Sequence, residues 1–333
     1  MKVTAKRWLA LGIAISLFLV SVGVDLLTRT LTGELFSAFS LEEDSEFQTT
    51  VYDTGKTSGN IALLDVNGEI IETGDASSLF ESAGYNHRAF LKTLEHAYED
   101  STVEGIVLRV NSPGGGVSES AEIYHFLKKY KEKYDKPLFV SMGPMAASGG
   151  YYISTPADKI FATPETLTGS IGVIIQQLNY GELTDKLGIK FETFKSGPHK
   201  DILSPTREMT EEEEEIIQQL VNNSYEDFVS VIVENRELNE GRVRNIADGR
   251  IYDGRQALEL GLVDAHGYLD EVIDAMREEV GNYQVIKYQE QSSWTSWLSG
   301  VSANVFPEKF ENEVVKGLMD SVASPRPYYL YRQ

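Results

Sequence analysis

Ser148 lies in the stretch Gly143-Pro144-Met145-Ala146-Ala147-Ser148-Gly149-Gly150-Tyr151-Tyr152, wrapped in alanines and glycines. Lys200 follows 52 residues later, in the Gly/Pro turn Lys195-Ser196-Gly197-Pro198-His199-Lys200-Asp201. The types fit a nucleophile and its base. A hydroxyl attacks poorly until a neighbour takes its proton, and a lysine can take it only as the neutral amine. A free lysine has a pKa of about 10.4, so work near neutrality needs a depression of roughly three pH units, or about 4 kcal/mol. Burial in an apolar site can supply that for a lysine but hardly for an arginine. On spacing alone, Lys200 is equally one of many surface lysines. The small residues around Ser148 leave its hydroxyl uncrowded, but they equally permit close helix packing. The position reads as the start of a helix, where developing negative charge is favoured.

A second element of chemistry is Asn111-Ser112-Pro113-Gly114-Gly115-Gly116. Glycines in a turn let backbone N–H groups converge on one point and form an anion nest. The guest could be a phosphate or the oxyanion of a tetrahedral intermediate, and a plain tight turn is the third reading. The stretch lacks the Gly-Lys-Ser/Thr ending of a P-loop, which argues against a nucleotide. The histidines are His87, His96, His125, His199 and His266. His96 and His125 have charged neighbours on helices and read as solvated, and none of the five stands in a setting that spells a Ser-His-Asp triad. Cysteine is absent, which removes disulfides, thiol catalysis and thiolate metal sites. We expect no metal and no cofactor.

The elements that must position these residues alternate between strand and helix. Ile61 to Ile71 reads as strand–turn–strand around Asn67-Gly68. His87 to Tyr98 has helical spacing, with Phe90, Leu91, Leu94 and Ala97 on one face. Ile106 to Val110 is a buried strand, Val117 to Tyr134 an amphipathic helix, and Leu138 to Val140 the next strand. Such alternation implies a largely parallel sheet with right-handed crossovers. Thr210, with Glu213 three residues on, spells a capping box for a helix reaching about Asn235. Acidic residues Glu211 to Glu215 suit the positive end of that helix better than a ligand cluster. Gly254 to Leu260 and Tyr268 to Val280 are further helices, and Tyr283 to Tyr288 a strand.

The net charge is −21. Lys2, Lys6, Arg7 and Arg29 against Asp25 give residues 1–30 a charge of +3, which leaves −24 for the rest. An acidic body of that kind is no nucleic-acid binder. Trp8 to Val24 is 17 residues without a charge, the short end of a bilayer-spanning helix. The preceding basic residues place the N-terminus in the cytoplasm and the body outside the membrane. A cleaved signal peptide begins the same way, but no small-x-small site follows closely. The expected organisation is residues 1–27 as cytoplasmic N-terminus and anchor, 28–58 as linker and 59–290 as catalytic domain. Residues 291–318, with Trp294, Trp297 and Phe306, form a helical or interface segment, and 319–333 a flexible tail. That tail, with Val322-Ala323-Ser324 just upstream of its prolines, is a segment that could enter the protein's own active site or be trimmed there.

The motifs together resemble those of the bacterial signal peptide peptidase A family of membrane-anchored Ser-Lys serine proteases. The matching stretches are Asn111 to Gly116, Ala147 to Tyr152, Thr168-Gly169-Ser170-Ile171-Gly172-Val173, Ser196 to Asp201, Ala247 to Arg250, Gly254, and Ala257 to Asp264. In order and spacing they cover about residues 58–280, and one copy of the domain matches the family's short Gram-positive form. The resemblance implies an α/β fold of the ClpP/crotonase type, a spiral of β-β-α units, preceded by one N-terminal transmembrane helix. It implies Ser148 as nucleophile, Lys200 as general base and Ser170 as the group that orients the amine. The oxyanion hole would be formed by backbone N–H groups at Gly114, Gly115 and Gly149. It also implies a ring-shaped homo-oligomer in which the lysine comes from the neighbouring protomer. The substrates would be leftover signal peptides and other unfolded, hydrophobic peptides. His199, beside Lys200, departs from the pattern and is given no catalytic role. The alternatives are a crotonase-like acyl-CoA hydrolase and a non-catalytic membrane scaffold ring.

Overall fold

A computed structural model describes residues 47–72, 85–290 and 328–330 of the chain. The expected anchor (Trp8 to Val24) and the 291–318 segment lie outside these residues. Among the described residues, no helix is long and apolar enough to cross a membrane.

The body is a mixed α/β structure built on one large, largely parallel sheet. Strands β1 (Phe47–Asp53), β2 (Lys56–Asn67), β3 (Val103–Ser112), β5 (Leu138–Ala147), β6 (Lys159–Ala162), β9 (Ala265–His266) and β10 (Tyr283–Glu290) run in the order β1-β10-β2-β3-β5-β6-β9. Neighbours from β10 to β9 are parallel, and only β1 is antiparallel to its partner on this path. The polar stretch expected to be a linker to residue 58 therefore ends in sheet: β1 and the start of β2 pair with β10. The short gap between them, Thr54-Gly55, makes the strand reversal that composition alone read as loop.

Both faces of the sheet are covered, so its central strands are apolar throughout rather than alternating. In β2, Ile61 and Leu63 pack with Val107, Phe139, Val272 and Met276 on the face covered by helix α8 (Leu269–Val280). Ala62, Leu64 and Val66 point the other way, into the core under α1 (His87–Glu99), α2 (Val117–Tyr134) and α5 (Glu211–Asn235). The capping box of α5 forms as the sequence spells it: Glu213 N donates to Thr210 Oγ1 at 3.2 Å and Thr210 N to Glu213 Oε2 at 3.0 Å. At its other end, the buried Arg236 donates two bonds to Asp264, at 2.6 and 3.0 Å, and ties the helix to the end of the sheet.

His96 departs from expectation. It is half-buried and stacked on Phe47, with ring centroids 4.6 Å apart, and edge-on to Tyr288 at 4.9 Å. The β1 strand that supplies Phe47 was read as linker, so this contact was invisible in the sequence. Tyr98, in the same layer, is fully buried and its hydroxyl has no hydrogen-bond partner. An unmet buried hydroxyl costs about 1–3 kcal/mol. Tyr98→Phe should therefore leave stability unchanged or raise it by about 1 kcal/mol, read as the midpoint of chemical denaturation. A clear fall would mean that the hydroxyl is satisfied in solution.

Candidate active site

The fold brings Ser148, Ser170 and the predicted glycines, but not Lys200, to one end of adjacent parallel strands. This is the end at which open α/β sheets bind ligands. β3 and β5 are neighbours, with Ser112 opposite Ala146. The residues that follow each strand therefore lie side by side: β4 (Gly114–Gly116) after β3, and Ser148 after β5. The last three residues of β5 also pair in parallel with β7 (Leu167–Gly169), Ala147 opposite Gly169. That register sets Ser170 next to Ser148.

Ser148 turns the chain sharply from β5 into α3 (Gly149–Tyr152). Its backbone is held at φ 53° and ψ −117°, a region L-residues rarely occupy. Such a conformation costs roughly 1–3 kcal/mol and persists only where the surroundings enforce it. The enforcement is visible: Ser148 N donates to Gly169 O at 2.8 Å, and Ser148 O accepts from Tyr152 N at 2.9 Å. The residue is 1% exposed, and its Oγ has no hydrogen-bond partner. The helix after it is a single turn, so a macrodipole contributes little; free backbone N–H groups near the turn matter more.

The glycines expected as a turn form a short strand instead. Ile70 holds one edge: Ile70 N donates to Gly114 O and Gly116 N to Ile70 O, both at 2.8 Å. Alternation along a strand then aims Gly115's own N–H towards the other edge. Gly114 has φ +100°, and a Cβ there would lie 1.9 Å from Tyr329 O and 2.6 Å from Gly149 N. Only glycine permits that approach. A Cβ on Gly149 would meet Ser120 Oγ at 2.5 Å and Gly115 N at 3.1 Å. Gly114, Gly115 and Gly149 thus lie together.

The other edge of the glycine strand is taken by β11 (Tyr328–Leu330), antiparallel, with Tyr329 opposite Gly115. The last residues, read as a flexible tail, therefore include an ordered strand across the predicted site. The Tyr329 ring is buried against Tyr152 (centroids 5.0 Å) and Phe228 (4.6 Å), and its hydroxyl donates to Ser224 O at 2.6 Å. Burial pushes its phenol well above the usual tyrosine range. This aromatic box escaped the sequence reading. Tyr152 and Phe228 lie 76 positions apart on separate helices, and no local spacing links them.

Ser170 is also left-handed (φ 50°), with its N–H donating to Arg250 O at 2.8 Å. It lines a cleft of about 510 Å³ together with Val173, Ile174, Tyr225, Gly249 and Leu330. Lys200 is not brought to Ser148 within the chain. It stands exposed on the 195–201 loop, and Ser148 Oγ receives no bond from it. Beside it, the half-buried His199 lies 3.6 Å from the exposed Glu212 and 3.9 Å from the buried Glu213. Among the described residues, no group of acidic and histidine side chains is arranged to hold a metal ion.

A family model described as peptidase family S49 matches residues 130–282. A provisionally named signal peptide peptidase SppA of Enterococcus faecium is 41% identical over 98% of this chain and 98% of its own length. The chain belongs to the signal peptide peptidase A family, within peptidase family S49. A provisionally named protease of Synechocystis is 36% identical over 81% of this chain and 82% of its own length. Protease 4 of Haemophilus influenzae is 33% identical over 70% of this chain but only 37% of its own length. Against that longer relative, this member of the family corresponds to little more than a third. Membership makes the chain a peptidase, and the S49 match spans Ser148, Ser170 and Lys200 alike.

Proposed function

We propose that this chain is a serine endopeptidase that acts on signal peptides and other unfolded, apolar peptides. The observation that carries this reading is the buried, unpartnered Ser148 hydroxyl on a strained backbone, set between the glycine strand and Ser170. Relatives named as signal peptide peptidases and proteases support the substrate class. The pairing of β11 with β4 supports it physically. In place of β11, an extended peptide pairs with the glycine edge by main-chain bonds and drops alternate side chains into pockets. Family membership favours peptides over acyl-CoA esters. The fold class proposed is the ClpP/crotonase spiral.

In this reading, Ser148 Oγ attacks the scissile carbonyl as the Lys200 amine takes its proton. The carbonyl oxygen becomes an oxyanion held by the N–H groups of Gly115 and Gly149, with Gly114 shaping the approach. Lys200 then delivers the proton to the leaving amine, and the acyl-enzyme remains. Water, deprotonated by the same amine, releases the second product. Ser170 orients the amine.

Lys200 comes from a second copy of the chain. Its loop belongs to a segment whose apolar side chains face solvent: Leu178, Leu183, Leu187 and Phe191, with Phe194 96% exposed. An apolar surface of that extent marks an interaction site. The cleft lined by Ser170 is where a neighbour's amine would enter. The assembly is a homo-oligomeric ring. The Trp8 to Val24 run anchors it by a single span, with the catalytic body outside the cytoplasmic membrane. The full-length protein in detergent should cleave an unfolded apolar peptide and spare folded proteins. Absence of any peptide cleavage would overturn the proposal.

A further inference from the structure

The loop that carries Lys200 is held in a way that its own sequence does not require. Arg207 grips two carboxylates at once. Its Nε and Nη2 donate to Asp201 Oδ2 and Oδ1 at 2.9 and 2.7 Å, and its Nη1 and Nη2 to Glu213 Oε2 and Oε1 at 2.7 and 2.6 Å. A further bond reaches Asp201 O at 3.2 Å. Such fork-on-fork pairing fixes orientation as well as distance. Glu213 is itself immobile, being 1% exposed and locked in the α5 capping box. Lys195 closes the loop from the other side, donating to Asp201 Oδ1 at 2.6 Å and to Pro198 O at 2.8 Å. Asp201 is the residue next to Lys200. The amine's backbone is therefore pinned to the rigid end of α5, while its side chain projects free.

We infer that Arg207, with Asp201 and Glu213, is a positioning group for Lys200: it presents the amine at the angle the neighbouring site needs. This rests on the proposed role of Lys200. The arrangement is charged on both sides. The charged groups facing the loop are Lys195, His199, Asp201 and Arg207 from the loop and its return, with Glu212 and Glu213 from the first turn of α5. Arg207 shares its charge with Asp201 and Glu213, and hydrogen bonds from it hold the Glu213 carboxyl at about 2. Asp201 is likewise held well below the usual carboxylate range by Arg207 and Lys195. Both carboxylates keep their folded-state stabilisation above their ordinary values and lose it only as pH falls towards the folded ones. The grip is thus intact throughout the neutral range.

Removing the cation, or the Asp201 carboxylate that it grips, frees the loop that carries the amine. In the full-length protein, Arg207→Gln should lower kcat by about 10- to 100-fold with KM changed little, as expected for a misplaced catalytic group. Asp201→Asn breaks the grip from the other side and should lose kcat in the same way, whereas Arg207→Lys, which keeps the charge without the fork, should restore little of it. Wild-type kcat in Arg207→Gln and Asp201→Asn, or a loss carried by KM instead, would overturn the inference. If Arg207→Gln does not fold, Asp201→Asn still decides it: an unchanged kcat there is a failure. Lys200→Ala, run alongside, separates the two levels. Full activity there sinks the dyad itself, whereas an inactive Lys200→Ala beside a normal Arg207→Gln sinks only the positioning role.

Discussion

Ser148→Ala should lose peptide hydrolysis by about 10⁴-fold or more, and Lys200→Ala by a similar factor. Members of a nucleophile–base pair act as a unit, so removing either takes away most of what both supply. Neither change should unfold the protein. Ser148 Oγ makes no hydrogen bond, so its deletion strands no partner. Lys200 is exposed, and the grip on its loop runs through Asp201 and Arg207 instead. The check is turnover of an unfolded apolar peptide, with thermal unfolding measured on the same samples. Activity within tenfold of wild type in either variant would refute the assignment.

Gly114→Ala is the next most damaging change. The new methyl would lie 1.9 Å from Tyr329 O and 2.6 Å from Gly149 N, on a backbone at φ +100° that alanine avoids. The glycine edge would have to shift, and with it the donor at Gly115. Loss of one preset oxyanion donor costs about 10²–10³ in kcat, and the clash with an extended peptide adds a loss in KM. Gly241→Ala is the control, because a Cβ there makes only an ordinary contact, 3.5 Å from Asn239 Oδ1. Equal activity in the two variants would show that the glycine strand is not part of the site.

How much of this was legible follows from where each signal resides. Helix limits were readable because caps are local: Thr210 with Glu213, Gly261 after Leu260 and the 3.6-residue pattern of α1 all came out as spelled. Ser148 and the glycines were readable because small residues cluster in sequence where the backbone must turn. What escaped was long-range pairing. β1 and β11 are short, polar or aromatic segments whose partners lie 237 and 214 positions away, as in Thr50 with Lys287 and Tyr329 with Gly115. Neither carries a periodicity of its own. Arg207, Asp201 and Glu213 sit six residues apart in sequence, a spacing that fits no helix face, so only the folded loop reveals their convergence. The glycine run was read as a turn because isolated glycines usually mark one, and its strand character depends on Ile70 and Tyr329 on either edge. The resemblance to a peptidase family supplied roles that residue spacing left open, above all for Lys200.

A shared site requires Ser148 and Lys200 from different copies of the chain. The most direct test is to co-express full-length Ser148→Ala and Lys200→Ala chains bearing different tags, purify assemblies that contain both, and measure peptide hydrolysis. In a ring built from head-to-tail contacts, random mixing gives about one quarter of the sites an intact serine and an intact lysine. Activity should therefore return to about that fraction of wild type from two dead parents. Mixed assemblies that stay as inactive as either parent would contradict the shared site.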